Sequence, residues 1–244
     1  SESYADNYFL RRALDNASLP RTGGRAHVAG ILRDELGADV ADRIRFVGHH
    51  DAHLWSAFHP SGFDRGLVVS IDGAGDNLSG AVATFQGTRL QLLREIPMNK
   101  SLGFFYRECI TMVGYTRFDE YKVMGLAPYG DPARYAGLFA QTYRLLPGGD
   151  YELVGAKQLV RLMAQAGLPQ NARRKGEPFN QDHRDFSAAL QQALERIVFH
   201  VLSHFRQETG ETALCLAGGV AHVHIAEAVR AVDEPPVGQH PVEH

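Results

Sequence analysis

The apolar and polar positions of the first part of the chain follow helical periods and then strand periods. Residues 1–19 and 25–43 carry apolar residues at helical spacing and predict two amphipathic helices. The stretch Ile44-Arg45-Phe46-Val47 predicts a short strand. The segment GLVVSIDGAGDNLSGAVATFQGTRLQLLREI, residues 66–96, predicts three strands, with a break at Asp72–Asp76 and a hairpin at Gly87-Thr88.

Helical spacing dominates the second half of the chain. The pattern predicts helices over residues 101–114, 132–144, 156–166 and 183–208. The segment DEYKVMGLAPYGDP, residues 119–132, is predicted to be largely loop because it is rich in glycine and proline. The segment TALCLAGGVA, residues 212–221, predicts a buried strand that enters a Gly-Gly turn and a helix, and residues 222–244 form an atypical, proline-rich tail.

This order of elements is typical of an α/β domain with a mixed sheet and flanking helices. Only helices are predicted before the first strands, and no strand is predicted after the last helix. We therefore expect the sheet to be incomplete, as in a domain truncated at both ends.

The composition is that of an ordinary globular protein and argues against two classes of partner. The apolar fraction of the 244 residues is 44%, the charged fraction is 22% and the net charge is -3. A general binder of nucleic acid or of membrane surfaces would need a clustered basic excess. Because neither a membrane span nor a signal segment is visible, a cytoplasmic location is predicted. Cys109 and Cys215 have no metal or redox spacing and are predicted to be buried thiols.

Three histidines and an aspartate occupy residues 49–53, HHDAH. On a helix His49 and His53 share one face at i, i+4, so two imidazoles can reach one metal ion. Asp72 is the candidate third ligand, because it ends a strongly apolar strand where a carboxylate would be exposed at the sheet edge. His50 and Asp51 fall outside that face. The alternative is that one histidine caps or packs while the others are solvated.

Two glycine-containing turns are candidates for holding an anion. The segment Asp72-Gly73-Ala74-Gly75-Asp76 lets backbone N–H groups approach an anionic oxygen if a cation offsets the carboxylates, and the alternative is a tight hairpin turn. Gly218-Gly219-Val220 precedes a predicted helix whose N-terminus suits a nucleotide, and the alternative is a plain strand-to-helix turn. Lys122 either neutralises a phosphate or is a solvated surface lysine. Motifs of the GxSxG, P-loop, GxGxxG and HExxH types are absent from the sequence.

Five segments, taken in order, resemble one known family. They are HHDAHLWSAF, VVSIDGAGDN, EYKVMGLAPYGDP, HRDFSAALQ and LCLAGGVA. Over residues 45–221 the chain resembles the carbamoyltransferase family that includes nodulation-protein and antibiotic-tailoring O-carbamoyltransferases. MGLAPYG separates this family from the related tRNA threonylcarbamoyl-transfer protein. The resemblance implies an actin-, hexokinase- and Hsp70-like fold of two ribonuclease-H-like domains, with residues 1–60 a remnant of the first, 61–221 the second and 222–244 the tail.

The resemblance also implies a reaction and its cofactor. A separate C-terminal domain would make carbamoyladenylate from carbamoyl phosphate and ATP, and the transfer domain would move the carbamoyl group to a hydroxyl of a sugar-like acceptor. Iron(II) would be held by His49, His53 and Asp72, with a further aspartate from beyond the Gly-Gly-Val helix. The residues implied to bind nucleotide and phosphate are Gly73, Gly75, Asp76, Lys122, Gly218, Gly219 and Val220.

The sequence departs from the family pattern at both ends. It has no counterpart of the family's first strand and its catalytic histidine, and the sequence after Ala221 does not match the family's Asn-containing helix. We therefore expect this chain alone to be inactive or nearly so, and a homo-oligomer is an open possibility. Two alternatives also stay open: a non-catalytic fragment or pseudoenzyme that pairs with a partner chain, and a sugar-kinase- or ATPase-like member of the same superfamily.

Overall fold

A computed structural model describes residues 24–37, 39–168, 173–174 and 176–221. The helices within these ranges are α1 (Gly24–Leu36), α2 (His49–Phe58), α3 (Leu102–Ile110), α4 (Glu120–Leu126), α5 (Ala133–Phe139), α6 (Ala156–Gln165) and α7 (Gln181–Thr209). The strands are β1 (Arg65–Gly75), β2 (Leu78–Gln86), β3 (Arg89–Pro97), β4 (Tyr143–Leu146), β5 (Asp150–Leu153) and β6 (Leu214–Ala217). Short 3-10 turns follow α1, α2, β3, α3 and α4.

The main sheet has four strands in the order β3-β2-β1-β6. The pairs β1–β2 and β2–β3 are antiparallel, whereas β6 lies parallel to β1. Asp76 and Asn77 join β1 to β2 with φ values of 51° and 68°, as the two central positions of a type I′ hairpin require. The chain is therefore an α/β protein with a mixed sheet and flanking helices, as the sequence predicts.

Alternation along β1 divides the core into two layers. Leu67, Val69 and Ile71 belong to the larger hydrophobic cluster, which α3 and α7 cover. Val68 faces the other way, into a smaller cluster beneath α2. Because side chains alternate between the faces of a strand, Ser70 and Asp72 fall on the α2 face with Val68.

Helix α2 packs on this second face through residues spaced four apart. His50, Leu54 and Phe58 are its buried positions, and the ring of Phe58 stacks on Phe85 of β2 with centroids 4.6 Å apart. This stripe fixes which way the helix is rotated, and it leaves His49 and His53 on the adjoining stripe.

Most of the predicted elements are confirmed. The three strands of residues 66–96, the hairpin at Gly87-Thr88 and the buried strand before Gly218 are all present, as are helices over most of 101–114, 156–166 and 183–208. Both cysteines are buried and unpaired. Among the described helices, none combines the length and apolar character needed to cross a membrane. The predicted helix 1–19, the helix after the Gly-Gly turn and the tail lie outside the described residues.

Five predictions are wrong in whole or in part. The predicted helix 25–43 ends at Leu36, because Gly37 adopts a φ of 64° and terminates it. The predicted break at Asp72–Asp76 is confined to Asp76 and Asn77, because β1 continues to Gly75. Residues 44–47 form no strand, and the side chains of Phe46 and Val47 are exposed.

The segment 119–132 is not largely loop: α4 forms over Glu120–Leu126 and tolerates Gly125 near its end, because the prolines and Gly130 come only after the helix. The predicted helix 132–144 ends at Phe139, because the chain from Tyr143 pairs as β4 with β5 across the Gly148-Gly149 turn.

Candidate metal centre

Two periodicities bring three side chains together at one edge of the sheet. His49 and His53 lie one helical turn apart in the first half of α2. Asp72 lies near the end of β1, on the face that α2 covers. The helix crosses this face with Phe58 toward the start of β1, on Phe85, and with its N-terminus over the strand end, so the two histidines reach Asp72.

The three groups converge on one carboxylate oxygen. His49 Nε2 lies 3.0 Å from Asp72 Oδ2, and His53 Nε2 lies 3.1 Å from the same atom. One potential ligand atom from each of the three residues falls within 4.8 Å of the others. The side chains are 36%, 30% and 24% exposed for His49, His53 and Asp72, so an ion could reach them from solvent.

The electrostatics favour an ionised carboxylate at this position. Burial raises the pKa of the Asp72 carboxyl, but hydrogen bonds from His49, from the Gly73 N–H and from His53 together outweigh burial. The pKa therefore lies below its ordinary value. The N–H of Gly73 donates to Asp72 Oδ1 at 2.7 Å, which leaves Oδ2 to face the two imidazoles. This set of two imidazoles and one carboxylate is a familiar donor set for divalent transition metals.

The N-terminus of α2 is held by the turn that follows β1. Gly48 precedes the helix and has no side chain to cap it. Instead, the backbone N–H of His49 donates to Asp76 Oδ2 at 2.7 Å. Asp76 thus satisfies one of the unpaired donors of the first turn and places a negative charge at the positive end of the helix dipole.

A second anchor lies under the helix. His50 is only 4% exposed, and its Nδ1 pairs with the hydroxyl of Ser70 at 2.7 Å. The spacing in the sequence places His50 outside the stripe of His49 and His53 and assigns it no role. Spacing along the helix cannot reveal that a serine of β1 lies beneath it.

Gly75 makes room for the imidazole of His49. A Cβ built on this glycine would lie 2.1 Å from both Cγ and Cδ2 of His49. No side chain larger than hydrogen fits there while the ring keeps its position. The role of Gly75 in the structure is therefore close contact with a candidate ligand.

A cleft of about 350 Å³ opens beside the three candidate ligands. Asp72, Gly73 and Gly219 line one end of it, and Phe104 and Val220 contribute apolar walls. The Gly-Gly turn is fixed against β1, because Val220 N–H donates to the Ile71 carbonyl at 3.1 Å.

Two guanidinium groups line the same cleft. They belong to Arg107 of α3, which also pairs with Glu108 at 3.0 Å, and to Arg117 in the segment before α4; the acidic residues of the lining are Asp72 and Glu120. Arg107 lies over the Phe104 ring at 4.4 Å, and Arg117 over the Phe118 ring at 4.7 Å. An anionic ligand in this cleft would meet these two cations.

Comparison with known proteins gives the chain a family. The family model for the carbamoyltransferase N-terminus matches residues 25–231. The chain belongs to the carbamoyltransferase family. It is 47% identical over 227 residues to nodulation protein NolNO of Sinorhizobium fredii, an alignment that covers 88% of this chain and 33% of the relative. It is 55% identical over 176 residues to nodulation protein NolO of Bradyrhizobium diazoefficiens, covering 72% of this chain and 31% of the relative. The chain thus spans about a third of the length of these relatives.

Within this carbamoyltransferase-family chain, the predicted site residues fall into two groups. Those beside the metal-ligand cluster or the cleft are His49, His53, Asp72, Gly73, Gly75, Asp76, Gly219 and Val220. Gly218 has a φ of 92° and lies against the Ile71 carbonyl at the end of β1. Lys122 is the exception: it is exposed on α4, outside the cleft lining, and its Nζ pairs with Asp119 Oδ1 at 2.5 Å.

No sequence pattern predicts the two arginines of the cleft. Neither Arg107 nor Arg117 stands in a glycine-rich or histidine-rich motif. They reach the cleft because α3 and the segment before α4 fold over the end of β1. The only signal was their position between the Asp72 turn and the MGLAPYG segment.

Proposed function

We propose that this chain is the transfer domain of an O-carbamoyltransferase, which moves a carbamoyl group from carbamoyladenylate to a hydroxyl of a sugar-like acceptor. The observation that carries the proposal is the convergence of His49, His53 and Asp72 at the edge of a cleft lined by two glycine turns. Membership of the carbamoyltransferase family supplies the reaction class.

The donor set fits a divalent metal ion, and Fe²⁺ is our choice. Two imidazole nitrogens and one carboxylate, with other positions open, are the ligands of many non-haem iron(II) sites. His49, His53 and Asp72 would hold the ion. When bound, it supplies Lewis-acid stabilisation of negative charge on a phosphate oxygen.

The residues of the chain itself orient the anionic substrate. Gly73 and Gly219 expose their backbone to the cleft without side chains, so a phosphate can approach closely. Arg107 and Arg117, which line the same cleft, would offset its negative charge. Val220 lies against the end of β1 and offers an apolar surface to the nucleoside.

The remaining parts of the proposal concern the whole protein. We assign to it the actin-like arrangement of two ribonuclease-H-like domains, a cytoplasmic location, and the use of ATP and carbamoyl phosphate to make the adenylate. The acceptor is a hydroxylated small molecule. Gly75, Asp76 and Gly218 serve the nucleotide site in this scheme by shaping its loops. Neither nucleic acid nor a membrane is a partner.

Metal binding by the purified chain tests the centre of the proposal. The chain, prepared without chelator and without oxygen, is expected to bind about one Fe²⁺ or Co²⁺ at the histidine pair, because the folded chain already holds the three ligands together. The His49→Ala, His53→Ala double variant should lose the ion. The control is His204→Ala, which removes a surface histidine paired with Glu208 on α7. Equal metal content in the double variant and the control would contradict the assignment.

Nucleotide assays separate the proposal from its competitors. Binding of a non-hydrolysable adenylate analogue should weaken in Arg117→Ala. ATP hydrolysis that needs no carbamoyl phosphate would favour a kinase- or ATPase-like function instead. A chain that binds neither metal nor nucleotide would favour a non-catalytic role with a partner chain.

A further inference from the structure

One buried hydrogen bond joins the two elements that carry the candidate metal ligands. His50 of α2 is 4% exposed, and Ser70 of β1 is fully buried. Their Nδ1 and Oγ atoms are 2.7 Å apart. The bond lies between α2 and the face of β1 that also presents Asp72.

The position of this bond relates it directly to the ligands. His50 is the immediate neighbour of His49 and lies three residues before His53. Ser70 precedes Asp72 by one strand repeat, so both side chains extend from the same face of β1. A hydrogen bond at this place fixes the rotation of α2 about its own axis and the position of α2 along β1. A slip of the helix would carry both imidazoles away from the carboxylate.

Packing alone does not explain a histidine at this position. The Nε2 of His50 is buried and makes no hydrogen bond within the described part of the chain. A buried polar atom without a partner is unfavourable, and an aromatic hydrocarbon ring would avoid that cost. The hydrogen bond between His50 Nδ1 and the Ser70 hydroxyl therefore explains why a histidine occupies this position.

We propose that His50, acting through Ser70, is a positioning residue that holds His49 and His53 against Asp72. This inference rests on the metal site of the proposed function. His50 itself does not contact the ion. Its role corresponds to the outer contacts that orient metal ligands, whose loss lowers affinity by roughly 10- to 100-fold.

The test compares Co²⁺ affinity and the visible spectrum of bound Co²⁺ in four variants of the full chain. His50→Phe and Ser70→Ala each remove the bond and should weaken Co²⁺ binding by about tenfold or more, with an altered spectrum. The double variant should bind no more weakly than the poorer single variant, because both act through one contact. His50→Asn should recover near wild-type affinity, since an asparagine amide lies where Nδ1 lies. The rescue distinguishes positioning from simple loss of folding.

A remote core variant controls for stability. Val82→Ala truncates a fully buried residue of the larger cluster, away from α2. It should lower the melting temperature yet leave Co²⁺ affinity unchanged. If affinity falls equally in Val82→Ala, or stays unchanged in both His50→Phe and Ser70→Ala, the positioning role is wrong. If the wild-type chain binds no Co²⁺, or the His49→Ala, His53→Ala variant binds it equally well, the proposed metal site itself is wrong.

Discussion

Replacing Gly75 with alanine should disturb the metal centre without touching a ligand. The added Cβ would lie 2.1 Å from Cγ and Cδ2 of His49. Nonbonded carbons rest at about 3.5 to 4.0 Å, so the imidazole must move by about 1.5 Å or rotate away. The backbone at Gly75 is not in the left-handed region, so alanine adds a clash there and no φ strain.

The expected effects are on affinity first and on stability second. Displacement of one of three ligands by this distance should weaken Co²⁺ or Fe²⁺ binding by about 10- to 100-fold. Overpacking should lower the free energy of unfolding by about 1 to 3 kcal/mol. Affinity is measured by absorption titration with Co²⁺, and stability by urea denaturation of the metal-free protein.

Gly73→Ala is the matched control in the same strand. Its Cβ would meet Phe104 Cε1 at 3.4 Å, an ordinary contact, and it lies beside Asp72. It should leave Co²⁺ affinity close to that of the wild type. If Gly75→Ala also binds Co²⁺ with wild-type affinity and spectrum, then His49 does not need its observed position, and the reasoning about this site fails.

Three further predictions concern single side chains. Asp72→Asn should weaken metal retention far more than Asp76→Asn, because the asparagine introduced by Asp76→Asn keeps an oxygen that accepts the His49 N–H. Metal analysis after gel filtration measures the retention in both variants. The reverse order would mean that Asp76 is the ligand. Burial raises the pKa of Asp185, but the Asp131 N–H, Gln181 and Arg134 outweigh it and hold the pKa below its ordinary value. Its stabilising effect is therefore complete above the unfolded pKa of about 3.9 and is lost as the pH falls through the lower folded value. Urea midpoints between pH 5 and 2 should fall less steeply in Asp185→Asn, and parallel curves would contradict this. Lys122→Ala should leave the affinity for an adenylate analogue unchanged by isothermal titration, since its Nζ pairs with Asp119 outside the cleft, whereas a clear loss would return Lys122 to the site.

The ligand cluster could be predicted because two local periodicities determine it. The i, i+4 spacing puts His49 and His53 on one stripe, and alternation along β1 puts Asp72 on the face that α2 covers. These rules fix the stripe of the helix and the face of the strand, and Asp72 is predicted because it follows an apolar run; that α2 packs on this face is shown only by the structure. The sequence predicts the turn after β1 too early and too long, at Asp72–Asp76, whereas β1 continues to Gly75 and the turn consists of Asp76 and Asn77.

Contacts between distant segments could not be predicted. In the sequence, Ser70 is a small residue within an apolar strand, and its neighbours in the chain do not indicate that His50 is its partner. The same holds for the loop after α4, which α7 holds in place: the Asp131 N–H donates to Asp185 Oδ1 at 2.8 Å, and Gly130 lies against the Arg184 backbone. These contacts join the APYGDP and HRDF segments. The glycine and proline content of residues 119–132 led to the prediction of a loop, although Glu120–Leu126 form α4.

The carboxylate oxygen shared by the two histidines determines which nitrogen of each ring carries a hydrogen. An ionised carboxylate only accepts hydrogen bonds, so the Nε2 atoms at 3.0 and 3.1 Å from Asp72 Oδ2 must each carry a hydrogen in the metal-free chain. Those same nitrogens must give up their hydrogens to bind a cation. Binding of an ion through Nε2 would therefore require each neutral ring to carry its hydrogen on Nδ1 instead.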